Sequence, residues 1–349
     1  MARDVKVTIS LAKGATSSGF GYPLIFEGKA TTAIPYTECA DIDEVITAVG
    51  GITSEDDADA IETKTETAKA SNIYKAALLL FMQDKAPDKI AVCVTKEVAT
   101  TGLATILHHG WRQLVVVSTA TEGEDTQSAI SDYIETTEKM YFTSVADVSG
   151  ATIDGNDRTV MLVHADEDTT VVFPESGLVG ATAGKPAGSI TYKNVTLKGL
   201  TPKILSTSEI TAIHNAHAIA YTLTSGYGST TEGMTTGGEY VDIMDAQDFV
   251  VQNVATAVQQ LLIKSDKLAF DNTGISQLEN AVVNVLRDAA NNGIIALSDE
   301  GVPMYNVSFK PRSGTKASDR TARRYVEGAF TFSLAGAIHT VEVIGTIEI

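Results

Sequence analysis

Apolar residues recur along this chain with two different periods. Near the start, Val5, Val7, Ile9 and Leu11 alternate with Lys6, Thr8 and Ser10, which is the period-two signature of a half-buried strand. At the other end, Val341, Val343, Ile347 and Ile349 alternate with polar Glu342, Thr346 and Glu348, Ile344 being the exception. Both strands adjoin glycines able to act as hinges: Gly14, Gly19 and Gly21 on one side, Gly328 and Gly336 on the other.

Between these ends the pattern changes. Short apolar runs within 88–95, 112–119, 140–148 and 158–165 predict buried strands. Segments of helical spacing over 42–50, 71–84, 97–110 and 124–139 separate them, the last with acids in its first turn. Continuous apolar strands alternating with helices predict a mostly parallel α/β sheet covered on both faces. The acidic run 54–66 reads as a solvated helix face or a loop. A short helix around 175–183, a capped helix from Ser206 with Glu209 in its first turn, and a hairpin over 219–243 with a Gly/Thr-rich tip follow.

The last third reads differently. One long helix is predicted over 245–267, with Phe249, Val250, Val254, Val258, Leu261 and Leu262 on one side. A second, over 275–293, turns Ile275, Leu278, Val282, Val285, Leu286 and Ala289 inward and stops at Gly293. Strands at 304–310 and 324–334 come next, then the terminal one. Helices followed by strands predict an α+β module. The expected organisation is an N-terminal arm (1–24), an α/β domain (25–200), an α+β core domain (201–335) and a C-terminal arm strand (336–349).

Composition narrows the function classes. Hydrophobic residues make up 44% and charged residues 20% of 349 positions, the balance of a globular chain with room for two domains. The net charge of −18 argues against nucleic acid as a partner, because phosphate contacts need clustered cations. Cys39 and Cys93 are too few for a disulfide framework, and the first ten residues contain no apolar leader core. The expectation is a soluble protein of a reducing compartment, with no run long enough to insert into a membrane.

Candidate chemistry is sparse. GATAGKPAGS (180–189) has glycines like those of a phosphate loop, but its spacing is wrong and Pro186 stands where a metal-binding hydroxyl belongs. His214 and His217 have an i,i+3 spacing without a third ligand, so no metal site is expected. His108 and His109 precede a helix-ending glycine; His164 ends one strand and His339 opens another, and no nucleophile motif accompanies either. An enzyme of doubly wound type would carry convergent side chains after the strands at 88–95, 112–119 and 158–165. Lys96-Glu97, Thr119–Gly123 and Asp166–Asp168 make no such set. No catalytic residue, cofactor site or enzymatic activity is therefore expected. The one strong charge feature is Lys310, Arg312, Lys316, Arg320, Arg323 and Arg324 within fifteen residues. Such a cluster is either a solvated loop or a contact for an acidic partner, for which the run 54–66 of a neighbouring copy is one candidate.

Three stretches resemble contractile tail sheath proteins of bacteriophages and of phage-tail-like (R-type) bacteriocins. They are SGLVGATAGKPAGSITYKNV, the helix pair DFVVQNVATAVQQLLIKSDKLAFDNTGISQLENAVVNVLRDAANNGII, and SDRTARRYVEGAFTFSLAGAIHTVEVIGTIEI. The turn carrying Asp271, Thr273, Gly274 and Ile275, the Asn-Gly-Ile-Ile ending and the closing GAIH…V-x-V-x-G-x-I are the more specific parts. The resemblance covers 200–349 well and 25–200 only in its order of elements. It implies a structural subunit that forms stacked hexameric rings around a tail tube and contracts on a baseplate signal without ATP. It implies as partners further copies of the chain, the tube, the baseplate and the tail terminator, and as location a virion tail or bacteriocin particle assembled in the bacterial host cytoplasm. It also implies that the terminal arms exchange strands with neighbours, which makes Val5, Val7, Ile9, Leu11, Val341, Val343, Ile347 and Ile349 the expected interface. The remaining alternatives are an α/β enzyme and another self-assembling phage protein.

Overall fold

The computed structural model describes residues 21–339 apart from positions 119, 122, 169, 171 and 187. The predicted arm interface residues Val5, Val7, Ile9, Leu11, Val341, Val343, Ile347 and Ile349 all lie outside the described residues.

An eight-stranded sheet forms the larger unit, in the order β2-β3-β1-β4-β5-β6-β7-β8. Its strands are β1 (Tyr22–Glu27), β2 (Ile34–Cys39), β3 (Ile90–Val94), β4 (Trp111–Val116), β5 (Met140–Val145), β6 (Thr159–Val163), β7 (Ile219–Thr224) and β8 (Tyr227–Thr230). The six inner strands run parallel, and β2 and β8 close the edges antiparallel. The helices that connect them are α1 (Ile42–Gly50), α2 (Ala58–Ala70), α3 (Asn72–Phe81), α4 (Ala99–Ile106), α5 (Gln127–Glu135), α6 (Pro174–Ala183) and α7 (Thr207–Asn215).

Period two along the strands sorts the core into two layers. Ile25, Val92, Val115 and Phe142 face a core shared with Ile73 and Leu80 of α3 and Leu178 of α6. Their neighbours Leu24, Cys93, Leu114 and Tyr141 face Leu103 of α4 and Ile130 of α5. Both faces are therefore covered, as continuous apolar strands require. The sheet continues through β7 and β8 to Thr230, past residue 200, so the hairpin pairs with the α/β unit. Its tip is the two-residue turn Ser225-Gly226, both with positive φ (52° and 87°), a geometry that matches the twist of the flanking strands.

The GATAGKPAGS segment serves packing. A Cβ on Gly180 would lie 2.2 Å from the Leu80 carbonyl oxygen, and one on Gly184 would lie 2.3 Å from that of Lys85. Glycine here lets α6 press against α3. At the α5 end, Asp125 precedes the helix and does not join its first turn. It is buried, accepts from the Ala99 N–H at 2.5 Å and pairs with Lys29. The chain's own carboxylate thus caps the start of α4, above the crevice beside the central strand, where an open α/β sheet would hold a ligand.

The smaller unit contains α8 (Val241–Lys264), α9 (Asn272–Asn291), β9 (Tyr305–Phe309), α10 (Ala317–Thr321) and β10 (Gly328–Phe332). β10 begins four residues after the predicted start. Arg323 is left-handed (φ 54°), and the Arg324 N–H bonds the Asp319 carbonyl at the end of α10.

Candidate assembly surface

The two units share α8. Its first half is buried, Val241 in the core of the α/β body, Asp245 and Asp248 against Arg112 and Arg158, and Ala246 and Val250 in the core shared with α9, while no residue from Val251 to Lys264 is fully buried. Gly188 lets the chain pass close to Ala246, where a Cβ would stand 2.7 Å from that of the alanine.

An ionic cluster fastens this half of α8. Arg112 of β4 pairs with Asp245 at 2.8 Å and Asp248 at 2.7 Å. Arg158 adds a bidentate pair to Asp248 at 2.6 and 3.0 Å, and the Tyr192 hydroxyl donates to Asp245 at 2.9 Å. Burial alone would raise the Asp248 carboxyl, but Arg158 and Arg112 hold it below the usual range. Burial and the Asp245 charge keep the Tyr192 hydroxyl protonated. The i,i+3 spacing puts both aspartates on one helix face. None of these five residues is singled out by the sequence pattern. The available signal was a pair of carboxylates on the helix face continuous with Val241 and Val250.

The second half of α8 packs with α9 over β9 and β10. The strands pair antiparallel, with Gly328 opposite Phe309 and Phe332 opposite Tyr305. Tyr305, Val307, Phe309, Phe330 and Phe332 turn toward Val282, Leu286 and Ala289, while Asn306, Ser308 and Thr331 face out. Among the described residues no third strand runs along this sheet; the segment after α9 bridges only its end, Ile295 opposite Leu334. Beside it runs an open groove of about 450 Å³, lined by Val258 and Leu262 of α8, Leu278 of α9, and Phe309, Val326 and Phe330. Leu262 remains 47% exposed and Val326 50%. The apolar side of α8 predicted from periodicity is present, yet the described residues cover only part of it.

The six predicted cations occupy the connection between β9 and β10. Lys310 pairs with Glu327 at 2.5 Å and Arg324 with Asp319 at 3.2 Å. Arg320 is turned inward, binding Thr315 through its carbonyl and hydroxyl oxygens. Arg312, Lys316 and Arg323 are exposed.

His339, the last described residue, touches Thr191 Oγ1 at 2.9 Å and Glu232 at 3.4 Å, with its ring edge-on to Tyr240. The chain therefore returns to the α/β body at the start of the predicted C-terminal arm (336–349). His214 and His217 do not share a helix, since α7 ends at Asn215 and His217 has a positive φ of 49°. His109 stacks on Tyr36 with ring centres 3.9 Å apart, and buried His164 lies 3.3 Å from Asp166. No group of three potential metal ligands forms among the described residues.

No curated protein sequence matches this chain. Residues 241–347 match the family of E217 tail sheath protein gp31-like C-terminal domains. The chain is similar to a component of the anti-feeding prophage baseplate, at 13% identity, TM-score 0.68, and coverage of 100% of this chain and 98% of that one. It is similar to the anti-feeding prophage helical sheath in its contracted state, at 10% identity, TM-score 0.67 and coverage of 99% and 100%. It is also similar to the contracted PVC sheath of an extracellular contractile injection system, at 14% identity, TM-score 0.65 and coverage of 100% and 96%. At such identities the likeness is one of fold, and it bears out the expected resemblance. Residues 241–347 thus match the gp31-like tail sheath C-terminal domains, and the chain over its whole length has the fold seen in contractile sheath assemblies.

Proposed function

We propose that this chain is the structural, non-enzymatic subunit of a contractile tail sheath. Copies assemble as stacked hexameric rings around a tail tube, bounded by a baseplate and a tail terminator, in a virion tail or bacteriocin particle built in the host cytoplasm. A baseplate signal then releases contraction, which drives the tube through a target envelope.

One observation carries this reading: β9 and β10 form a two-stranded sheet with no third strand among the described residues, beside an incompletely filled apolar groove. A two-stranded sheet is marginal by itself in water, and unpaired edges accept further strands. The alternating strands 5–11 and 341–349 have the pattern needed to add there from neighbouring copies. Each added backbone hydrogen bond contributes about 0.5–1.5 kcal/mol net, and each buried Val or Ile roughly 1.5–3 kcal/mol. A heterologous contact of this kind builds rings and helices, not closed dimers.

Deletion of residues 340–349 tests the exchange. The shortened chain is expected to keep its fold and lose assembly. Normal polymerisation of that chain would refute strand exchange through the C-terminal arm.

A further inference from the structure

Two surfaces of opposite charge face solvent on different units of the chain. The first is the connection between β9 and β10, where residues 310–327 hold six cations against Asp319 and Glu327. Those two carboxylates are engaged by Arg324 and Lys310. Arg312, Lys316 and Arg323 therefore remain without an acidic partner among the described residues. Arg320 braces the loop by its bonds to Thr315, so the free cations stand on an ordered support.

The second surface is α2. This helix packs on α1 and α3, yet Ala68 is its only buried residue. Asp59, Glu62 and Glu66 share one face with Thr63 and Thr67. The i, i+3, i+7 spacing aligns the three carboxylates along about 10 Å of helix. Lys64 is turned away to Asp56 at 2.7 Å and to the Gly51 carbonyl, leaving Lys69 beside Glu66 as the one cation near the stripe. A helix that is polar nearly all round draws little stability from its own core.

We propose that the α2 face of one copy docks on the cationic β9–β10 connection of a second copy. This rests on the self-assembling reading above. Charge complementarity selects the occupant. In a chain of net charge −18 most of the surface repels a second copy, and the cationic connection is the patch that attracts one. Among the described residues no ion pair joins the two surfaces within a chain, so the complementarity is available only between chains. The two patches differ, and the contact is heterologous and propagates. Its charges set register and encounter rate more than total affinity.

Charge reversal in assembly assays tests this, with Arg312→Glu/Lys316→Glu on the connection and Glu62→Lys/Glu66→Lys on α2. All four side chains are exposed, and thermal melts establish that each variant folds. Either reversal alone is expected to raise the concentration needed for polymerisation about tenfold, the sum of a few rim ion pairs. The chain carrying all four reversals is expected to return to the wild-type value. A 1:1 mixture of the two singly reversed chains is expected to polymerise as well. Wild-type assembly should weaken between about 0.05 M and about 0.5 M salt as screening shortens.

Unchanged assembly in either single reversal, or no recovery in the fourfold chain, overturns the proposal. A defect confined to the Arg312/Lys316 reversal does so too, and assigns the connection to a different acidic protein. A wild-type chain that stays monomeric removes the sheath reading as well. Reversals that polymerise like a competent wild type remove this inference alone.

Discussion

Replacing Arg112 with methionine tests the attachment of α8 to the α/β body. The Arg112 side chain is 3% exposed and holds Asp245 at 2.8 Å and Asp248 at 2.7 Å. Methionine fills much of the same volume, so the cost is chiefly electrostatic. Asp248 keeps its bidentate partner Arg158, but Asp245 keeps only the Tyr192 hydroxyl. Leaving one buried carboxylate without its counter-ion costs about 3–5 kcal/mol. Urea unfolding of purified monomer at neutral pH measures this, and hydrogen exchange along α8 shows whether its first turns open. Adding Asp245→Asn removes the orphaned charge and should recover most of the loss. Arg112→Met costing under about 1 kcal/mol, the value of an exposed pair, would refute the reasoning, as would an Asp245→Asn double variant no more stable than the single one.

Three further outcomes are expected. Gly180→Ala should lower stability by about 1–3 kcal/mol despite alanine's better helix propensity, because its Cβ would lie 2.2 Å from the Leu80 carbonyl; Gly177→Ala, which meets the movable Leu200 side chain at 3.0 Å, should be milder in thermal melts. Glu175, buried at the start of α6, has its carboxyl pushed up to about 7 from 4.5 by burial, against the opposing hydrogen bond from Ser144. A raised carboxyl binds its proton more tightly in the fold, so stability is fully present below about pH 4.5 and is lost as pH rises through 7, by on the order of 3 kcal/mol; Glu175→Gln should flatten that decline in melts from pH 5 to 8, and a parallel profile would refute it. Leu262→Ser, at a 47% exposed position lining the groove, should change stability by less than about 1 kcal/mol while weakening polymerisation seen by sedimentation.

The parallel strands and their helices were legible because apolar period and strand burial coincide. The central strand was not. β1 carries Pro23, and β2 carries Pro35, which demotes both as strands when read from sequence. The fold accommodates each proline at a register irregularity: β1 slips against β4 between Tyr22 and Leu24, and β2 against β3 between Ile34 and Thr37. The start of α8 at Val241 was missed because Asp242, Asp245 and Asp248 break its apolar stripe. Asp245 and Asp248 are buried against Arg112 and Arg158, which lie far away in sequence. The six cations near 310–324 were legible as a cluster, but which of them remain free depends on Asp319, Glu327 and Thr315. The open groove was invisible for a different reason. Periodicity marks which residues of α8 are apolar, and cannot tell whether the same chain covers them.

Electron microscopy of the purified 349-residue chain decides whether it assembles as a sheath subunit. Rings or tubular polymers built from this one subunit are expected. A discrete monomer or dimer at high protein concentration would contradict that expectation.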